Sequence, residues 1–175
     1  MRVVEHRRHS RRDPGGIHLN AEGLEIARRV APTLGRFDRV VSSPIPRAVE
    51  TAEAVGFPPE VLLPELALIP SEMDRLVESS NARSFADYVR LTEEKRSAAA
   101  YARRLSELLR RQLDKVDDGG RLLVVSHGGV IEFGAAGACP EDARTFGAMA
   151  GYLEGVRLFL EGREWVRGEV LRVPR

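Results

Sequence analysis

The sequence predicts an α/β protein, a three-layer α/β/α sandwich built on a mixed but mostly parallel sheet. Three observations carry that reading. Short β-branched runs alternate with amphipathic helical segments along the chain. The run Leu122-Leu123-Val124-Val125 is apolar at every position, as a strand covered on both faces requires. Two alternating runs at the end, 155–161 and 164–173, meet at Gly162-Arg163 and read as a hairpin, which makes the sheet mixed.

Taken in order, residues 2–7 form a first short strand around Val3 and Val4. The stretch Arg11-Arg12-Asp13-Pro14-Gly15-Gly16 cannot continue a regular element, because proline fixes φ and glycines favour turns. Asn20 is a good helix N-cap, and Leu24, Ala27, Val30, Ala31 and Leu34 recur at helical spacing as far as Gly35. Residues 37–42 read as a second strand. Ser43 is placed to cap a helix with Pro44 in its first position and Ala48, Ala52 and Val55 on one face, ending at Gly56. Residues 61–63 are short enough for a third strand, and 64–81 predict irregular structure with a short helix. A long helix is expected from about Thr92 to Val116, with Tyr101, Ala102, Leu105, Leu108, Leu109 and Leu113 as its apolar stripe. A turn at 117–120 then leads into the fully apolar strand, and Gly128-Gly129 opens another helix.

With 175 residues the chain is sized for one domain, 1–175. A single cysteine, Cys139, excludes an internal disulfide or a cysteine-clustered metal site, and reads as a small buried hydrophobe. Twenty-seven basic against 26 acidic residues give +1, which argues against nucleic acid or an anionic membrane as a partner. No basic–apolar leader and no spanning apolar run is present, so a cytoplasmic protein is expected. Only Lys95 and Lys115 are lysines, so arginine is common everywhere and counts as evidence only in a specific setting.

Two of the four histidines meet that standard. His9 and His127 follow apolar strands directly, and in open α/β sheets ligands gather outside the carboxyl ends of the strands. Arg8, Arg11 and Arg12 surround His9, and guanidinium forks match phosphate oxygens. Gly128 and Gly129 let backbone N–H groups approach a ligand at a helix N-terminus. Arg47 projects from the first turn after another strand. Together these segments describe a pocket for a doubly charged oxyanion. His6 and His18 read as rim or structural residues, and Trp165 as packing.

The same residues resemble the histidine phosphatase superfamily, the phosphoglycerate mutase-like enzymes. Arg8-His9-Ser10 stands where that family has Arg-His-Gly, and Arg12 with Pro14 resembles its longer acid phosphatase form. Leu19-Asn20-Ala21-Glu22-Gly23 is similar to the family's helix start. Ser42-Ser43-Pro44-Ile45-Pro46-Arg47-Ala48 with Thr51-Ala52 matches its Ser-Ser-Pro-x-x-Arg-Ala segment, and Val125-Ser126-His127-Gly128-Gly129 its second-histidine motif. The motifs fall in the family's order over the whole chain, and the compact phosphohistidine phosphatases are the most similar branch.

The resemblance implies a phosphatase that needs neither metal nor cofactor and hydrolyses a phosphomonoester or phosphohistidine, on a small molecule or a phosphoprotein. His9 would be the nucleophile. Arg8, Arg47 and His127 would hold the non-transferred oxygens, with Arg12, Ser10 and Gly128 as further substrate contacts. A carboxyl group must protonate the leaving oxygen and then activate water. The family's Leu-x-Glu segment places it at Glu65, with Glu72 and Asp74 as alternatives. Two departures stand out: Ser10 replaces the family glycine, and Ala67-Leu68-Ile69-Pro70 replaces its Gly- and Trp-containing stretch. The second departure and the short chain weaken a phosphomutase reading. A relative that binds a phosphorylated ligand without hydrolysing it is the other alternative.

Overall fold

The computed structural model describes residues 1–173. Its elements run β1 (Arg2–Arg8), α1 (Ala21–Val30), β2 (Arg39–Ser42), α2 (Pro46–Ala54), β3 (Val61–Leu62), α3 (Ser71–Ser80), α4 (Phe85–Glu94), α5 (Arg96–Leu113), β4 (Arg121–Ser126), α6 (Val130–Ala138), α7 (Pro140–Ala143), β5 (Gly155–Glu161) and β6 (Glu164–Leu171). The six strands form one sheet in the order β3-β2-β4-β1-β5-β6. The first four are parallel to their neighbours, and the β5–β6 hairpin joins β1 antiparallel. Helices cover both faces, as expected.

Strand alternation divides the core in two. Leu122 and Val124 of β4 point with Val4 and Val41 toward α4, α5 and α6, where Phe85, Tyr88, Leu109 and Phe133 are fully buried. Leu123 and Val125 point with Val40 toward the smaller layer of α1 and α2, against Ala27, Val30, Ala48 and Ala52. β4 is thus apolar at every position because each face has its own helical layer. Beyond the reach of α1 and α2, β1 presents Glu5, which is 1% exposed. Its carboxylate meets Arg7, Arg121 and Arg157 at 2.8, 2.5 and 2.8 Å. That ion cluster closes the half of the sheet where no helix packs.

Four boundaries differ from the sequence reading, each for a local reason. The first helix stops at Val30, because Pro32 brings no N–H; the chain tightens into a 3-10 turn over Ala31–Thr33 before Gly35. The second helix starts at Pro46 rather than Pro44. Ile45, preceding a proline, is held extended at φ −70° and ψ 130°. Residues 64–81 are more ordered than expected, with a 3-10 turn at Pro64–Leu66 and then α3, which ends on left-handed Asn81 at φ 52°. The long helix starts at Arg96 rather than Thr92, and residues 92–94 instead close α4, a helix the sequence reading left unassigned. Lys95 is extended at φ −126°, and α4 has its own capping box, Ser84 accepting from the Asp87 N–H while Asp87 accepts from the Ser84 N–H. The break lets α4 fold back and pack against both α5 and α6. The α7 turn after Pro140 has no counterpart in the sequence reading.

Candidate active site

The parallel strands β1, β2 and β4 end side by side, so the residue after each strand is delivered to one edge of the sheet. His9 leaves β1, Ser43 leaves β2 and His127 leaves β4. The two imidazoles, from opposite ends of the chain, have ring centroids 5.1 Å apart. With Arg8, Arg12, Arg47, Gly128 and Asp74 they line a cavity of about 320 Å³. The convergence expected from the strand exits is present.

His9 is 3% exposed, and its ring is oriented from both sides. Nδ1 lies 2.6 Å from the carbonyl oxygen of Ser10, which can only accept, so Nδ1 carries the hydrogen. The lone pair is therefore on Nε2, where Arg47 Nε–H donates to it at 3.2 Å. Burial pushes the His9 pKa down to about 4; the Ser10 carbonyl opposes this, and the Arg47, Arg8 and Arg12 cations add to it. The ring is neutral at pH 7, the form that can attack phosphorus.

His127 is held by a second hydroxyl. Ser43 Oγ accepts the Ile45 N–H at 3.2 Å and lies 2.8 Å from His127 Nε2. Its own hydrogen has no other acceptor among the described residues, so it donates to Nε2 and leaves the hydrogen of His127 on Nδ1. Nδ1 is buried and unpartnered among the described residues, as is Arg8 Nε. Both residues line the cavity. Burial pushes the His127 pKa down to about 3, and neighbouring His9, Arg47 and Arg8 add to the effect. The other end of Arg8 is fixed, with Nη1 donating to the Ala150 carbonyl at 2.9 Å and Cζ 5.0 Å from the Tyr152 ring centroid.

Ser10 does not reach the cavity. It is fully buried, with its hydroxyl donating to the Gly23 carbonyl at 2.7 Å and its N–H donating to Thr51 Oγ1 at 2.8 Å. The extra hydroxyl ties the β1 exit to the start of α1 instead of contacting a ligand. Gly128 lines the cavity, and a Cβ there would stand 3.6 Å from Arg8 Cζ.

Glu65 also lies elsewhere. In the 3-10 turn its neighbour Leu66 is 1% exposed, and anchoring Leu66 in the core turns Glu65 outward. It lines a separate cavity of about 530 Å³ with Tyr101, Arg104 and Arg111, on the far side of Leu68. Glu72 lines neither cavity. Asp74 does line the His9 cavity, on the same face of α3 as Val77 three residues on.

Sequence reasoning missed two residues that organise the site. Glu132 is fully buried and accepts the Gly129 N–H at 2.6 Å and the Ala150 N–H at 2.9 Å. It thereby joins the loop after His127 to the loop that holds Arg8. Tyr152, whose ring centroid is 5.9 Å from that of His9, packs against both His9 and Arg8. The spacing of Glu132 three residues into a helix from Gly129 was the one available clue. The remaining histidines are structural: His6 is fully buried with Nε2 2.6 Å from Ser126 Oγ, and His18 is exposed and paired with Glu50. Trp165 packs against the core and donates to Ser106 Oγ at 2.9 Å, and Cys139 is buried. Among the described residues no group of three or more His, Cys, Asp or Glu is placed to hold a metal ion, and no helix is long and apolar enough to cross a membrane.

Comparison with known proteins bears on the fold and the family. A phosphoserine phosphatase from Entamoeba histolytica, solved with 3-phosphoglyceric acid, matches with a TM-score of 0.73 at 19% identity over 99% of this chain and 98% of that one. The mycobacterial glucosyl-3-phosphoglycerate phosphatase complexed with VO3 matches with a TM-score of 0.66 at 18% identity, covering 98% of each chain. Phosphoglycerate mutase from Bacillus anthracis gives a TM-score of 0.64 at 15% identity over 94% of this chain and 90% of that one. No protein of curated function matches the sequence. The family model for the histidine phosphatase superfamily, branch 1, matches residues 4–159. The chain belongs to that superfamily.

Proposed function

We propose that this enzyme is a phosphatase that hydrolyses phosphomonoesters through a phosphohistidine formed on His9 Nε2, with Asp74 rather than Glu65 as the proton donor. The observation that carries the reading is the His9 tautomer. Its Nδ1 hydrogen is committed to the Ser10 carbonyl, so the Nε2 lone pair faces the cavity beside Arg47. A phosphoryl group entering there meets donors from Arg8, Arg47 and His127, which strengthen as charge spreads over its equatorial oxygens.

In the first step Nε2 bonds to phosphorus while the ester P–O bond breaks, and the departing oxygen takes the proton of Asp74. In the second step water attacks the phosphohistidine, the P–N bond breaks and the Asp74 carboxylate takes the water's proton. Asp74 is favoured because it lines the same cavity as His9, whereas Glu65 lies beyond Leu68. A carboxyl group at the cavity also favours hydrolysis over phosphoryl-ligand binding alone.

The test is chemical trapping. Brief exposure to a radiolabelled phosphomonoester, quenched in alkali, is expected to leave an alkali-stable, acid-labile label on the protein that is absent in His9→Ala. Turnover of p-nitrophenyl phosphate by His9→Ala at the parent rate overturns the assignment.

A further inference from the structure

We infer that the leaving group this site is built to accept is an uncharged, apolar alcohol or phenol, not one bearing a carboxylate. This rests on the phosphatase reading above and adds to it which phosphomonoesters the cavity selects.

The cavity has two ends of opposite chemistry. At one end stand Arg8, Arg12, Arg47 and the two histidines. The other wall is made by Leu68, Ile69, Val77, Met149 and the ring of Tyr88. Tyr88 could have offered a hydroxyl to a polar leaving group, but it is 1% exposed and its O–H is turned to Met149 Sδ at 3.9 Å. Asp74 is the polar group that remains on that side. It can supply the one proton an alkoxide needs, and it offers no positive charge to a leaving group's carboxylate.

The cations are not positioned to offset this. Arg8, Arg12 and Arg47 all lie close enough to the His9 ring to disfavour its protonation, so the three cations gather at the phosphoryl end. A leaving group with its own negative charge would give up hydration against aliphatic side chains with no cation opposite it. An apolar group gains burial against the same four aliphatic side chains. Leu68, 63% exposed at the rim between the two cavities, is a large apolar surface that such a group would cover. Phosphoserine and 3-phosphoglycerate, found in structures of the amoebal neighbour, each carry the carboxylate this wall disfavours.

The experiment compares kcat/KM for benzyl phosphate, phosphoserine and 3-phosphoglycerate on the full chain, with p-nitrophenyl phosphate as the reference substrate. Benzyl alcohol is no better a leaving group than the serine hydroxyl, so a preference reports recognition rather than intrinsic reactivity. Benzyl phosphate is expected to exceed both carboxylate substrates by about tenfold or more, the range that a modest difference in pocket complementarity produces. Val77→Arg, which adds a cation to the apolar wall, is expected to narrow or reverse that ratio. Parity, or preference for phosphoserine or 3-phosphoglycerate, with p-nitrophenyl phosphate still hydrolysed overturns this inference while leaving the phosphatase reading intact. Failure to hydrolyse any of the four overturns both.

Discussion

In the proposed mechanism His9 supplies the attacking atom while Arg8, Arg47 and His127 receive charge, and single substitutions separate these roles. Arg47 donates directly to His9 Nε2, so its guanidinium sits beside the attack position before substrate arrives. By analogy with oxyanion-hole donors, Arg47→Ala is expected to lower kcat about 10²–10³-fold, measured by steady-state hydrolysis of p-nitrophenyl phosphate. Arg47→Lys keeps the charge but loses the fork, and is expected to recover only part of that loss. Asp74→Asn is expected to reduce turnover of an alkyl phosphomonoester at least as severely, while Glu65→Gln leaves it within about twofold, general acid catalysis being worth about 10²–10⁴. The reverse pattern would return the acid to Glu65. The four basic residues were legible because each follows a strand or opens a helix in a recognisable motif. Asp74 was legible only as an alternative to Glu65, because an acid on an exposed helical face reads the same whether it meets water or a cavity. What distinguishes it is the way Met73, 2% exposed, pins α3 against the core.

Between elements, the positions that matter most are those where backbones approach closely. A Cβ on Gly137 would lie 2.1 Å from the Ala102 carbonyl oxygen, so α6 and α5 touch with no room for a side chain. Gly137→Ala must push the helices apart, and overpacking of this kind costs about 1–3 kcal/mol. A urea midpoint unchanged in that variant would show that the contact yields more readily than its geometry implies. α6 also carries Glu132, so the shift is expected to reach the site as a lower kcat. Gly129, at φ 85°, starts α6 with a Cβ position 3.0 Å from Ile69, where any other residue would be strained and would crowd the cavity wall. Strand positions and the identity of most helices could be read from periodicity, because burial on one or two faces leaves a repeating mark. Helix ends could not, since they depend on which residue loses its N–H partner and where the next element must go. The break at Lys95 and the extended Ile45 are both of this kind.

Across the whole molecule, three imidazoles are stored out of water. Burial pushes His6 and His127 down to about 3 and His9 down to about 4, from the ordinary value of 6.5. The unfolded chain binds these protons near pH 6.5 and the folded chain does not. Their contribution to stability is therefore complete above 6.5 and is lost as the pH falls from there through about 4 for His9 and about 3 for the others. At pH 5 the loss is about 2 kcal/mol for each ring. Denaturant midpoints are expected to drop between pH 7 and pH 5, and His6→Phe to remove about a third of the drop. A flat profile over that range would mean the rings take up protons in the folded state. The layered architecture was legible from composition and alternation alone. The charged half of the sheet around Glu5 was not, since its partners Arg121 and Arg157 come from distant strands and only the register brings them together.

The sheet order carries one more consequence, for synthesis on the ribosome. β1 lies in the interior of the sheet, with β4 on one side and β5 on the other, and His6 meets Ser126 across 120 residues of chain. A nascent polypeptide that has emerged only as far as α5 leaves its opening strand with neither neighbour. His9, at the exit of β1, is translated long before β4 and β5, and it is held in its final surroundings only after both have emerged.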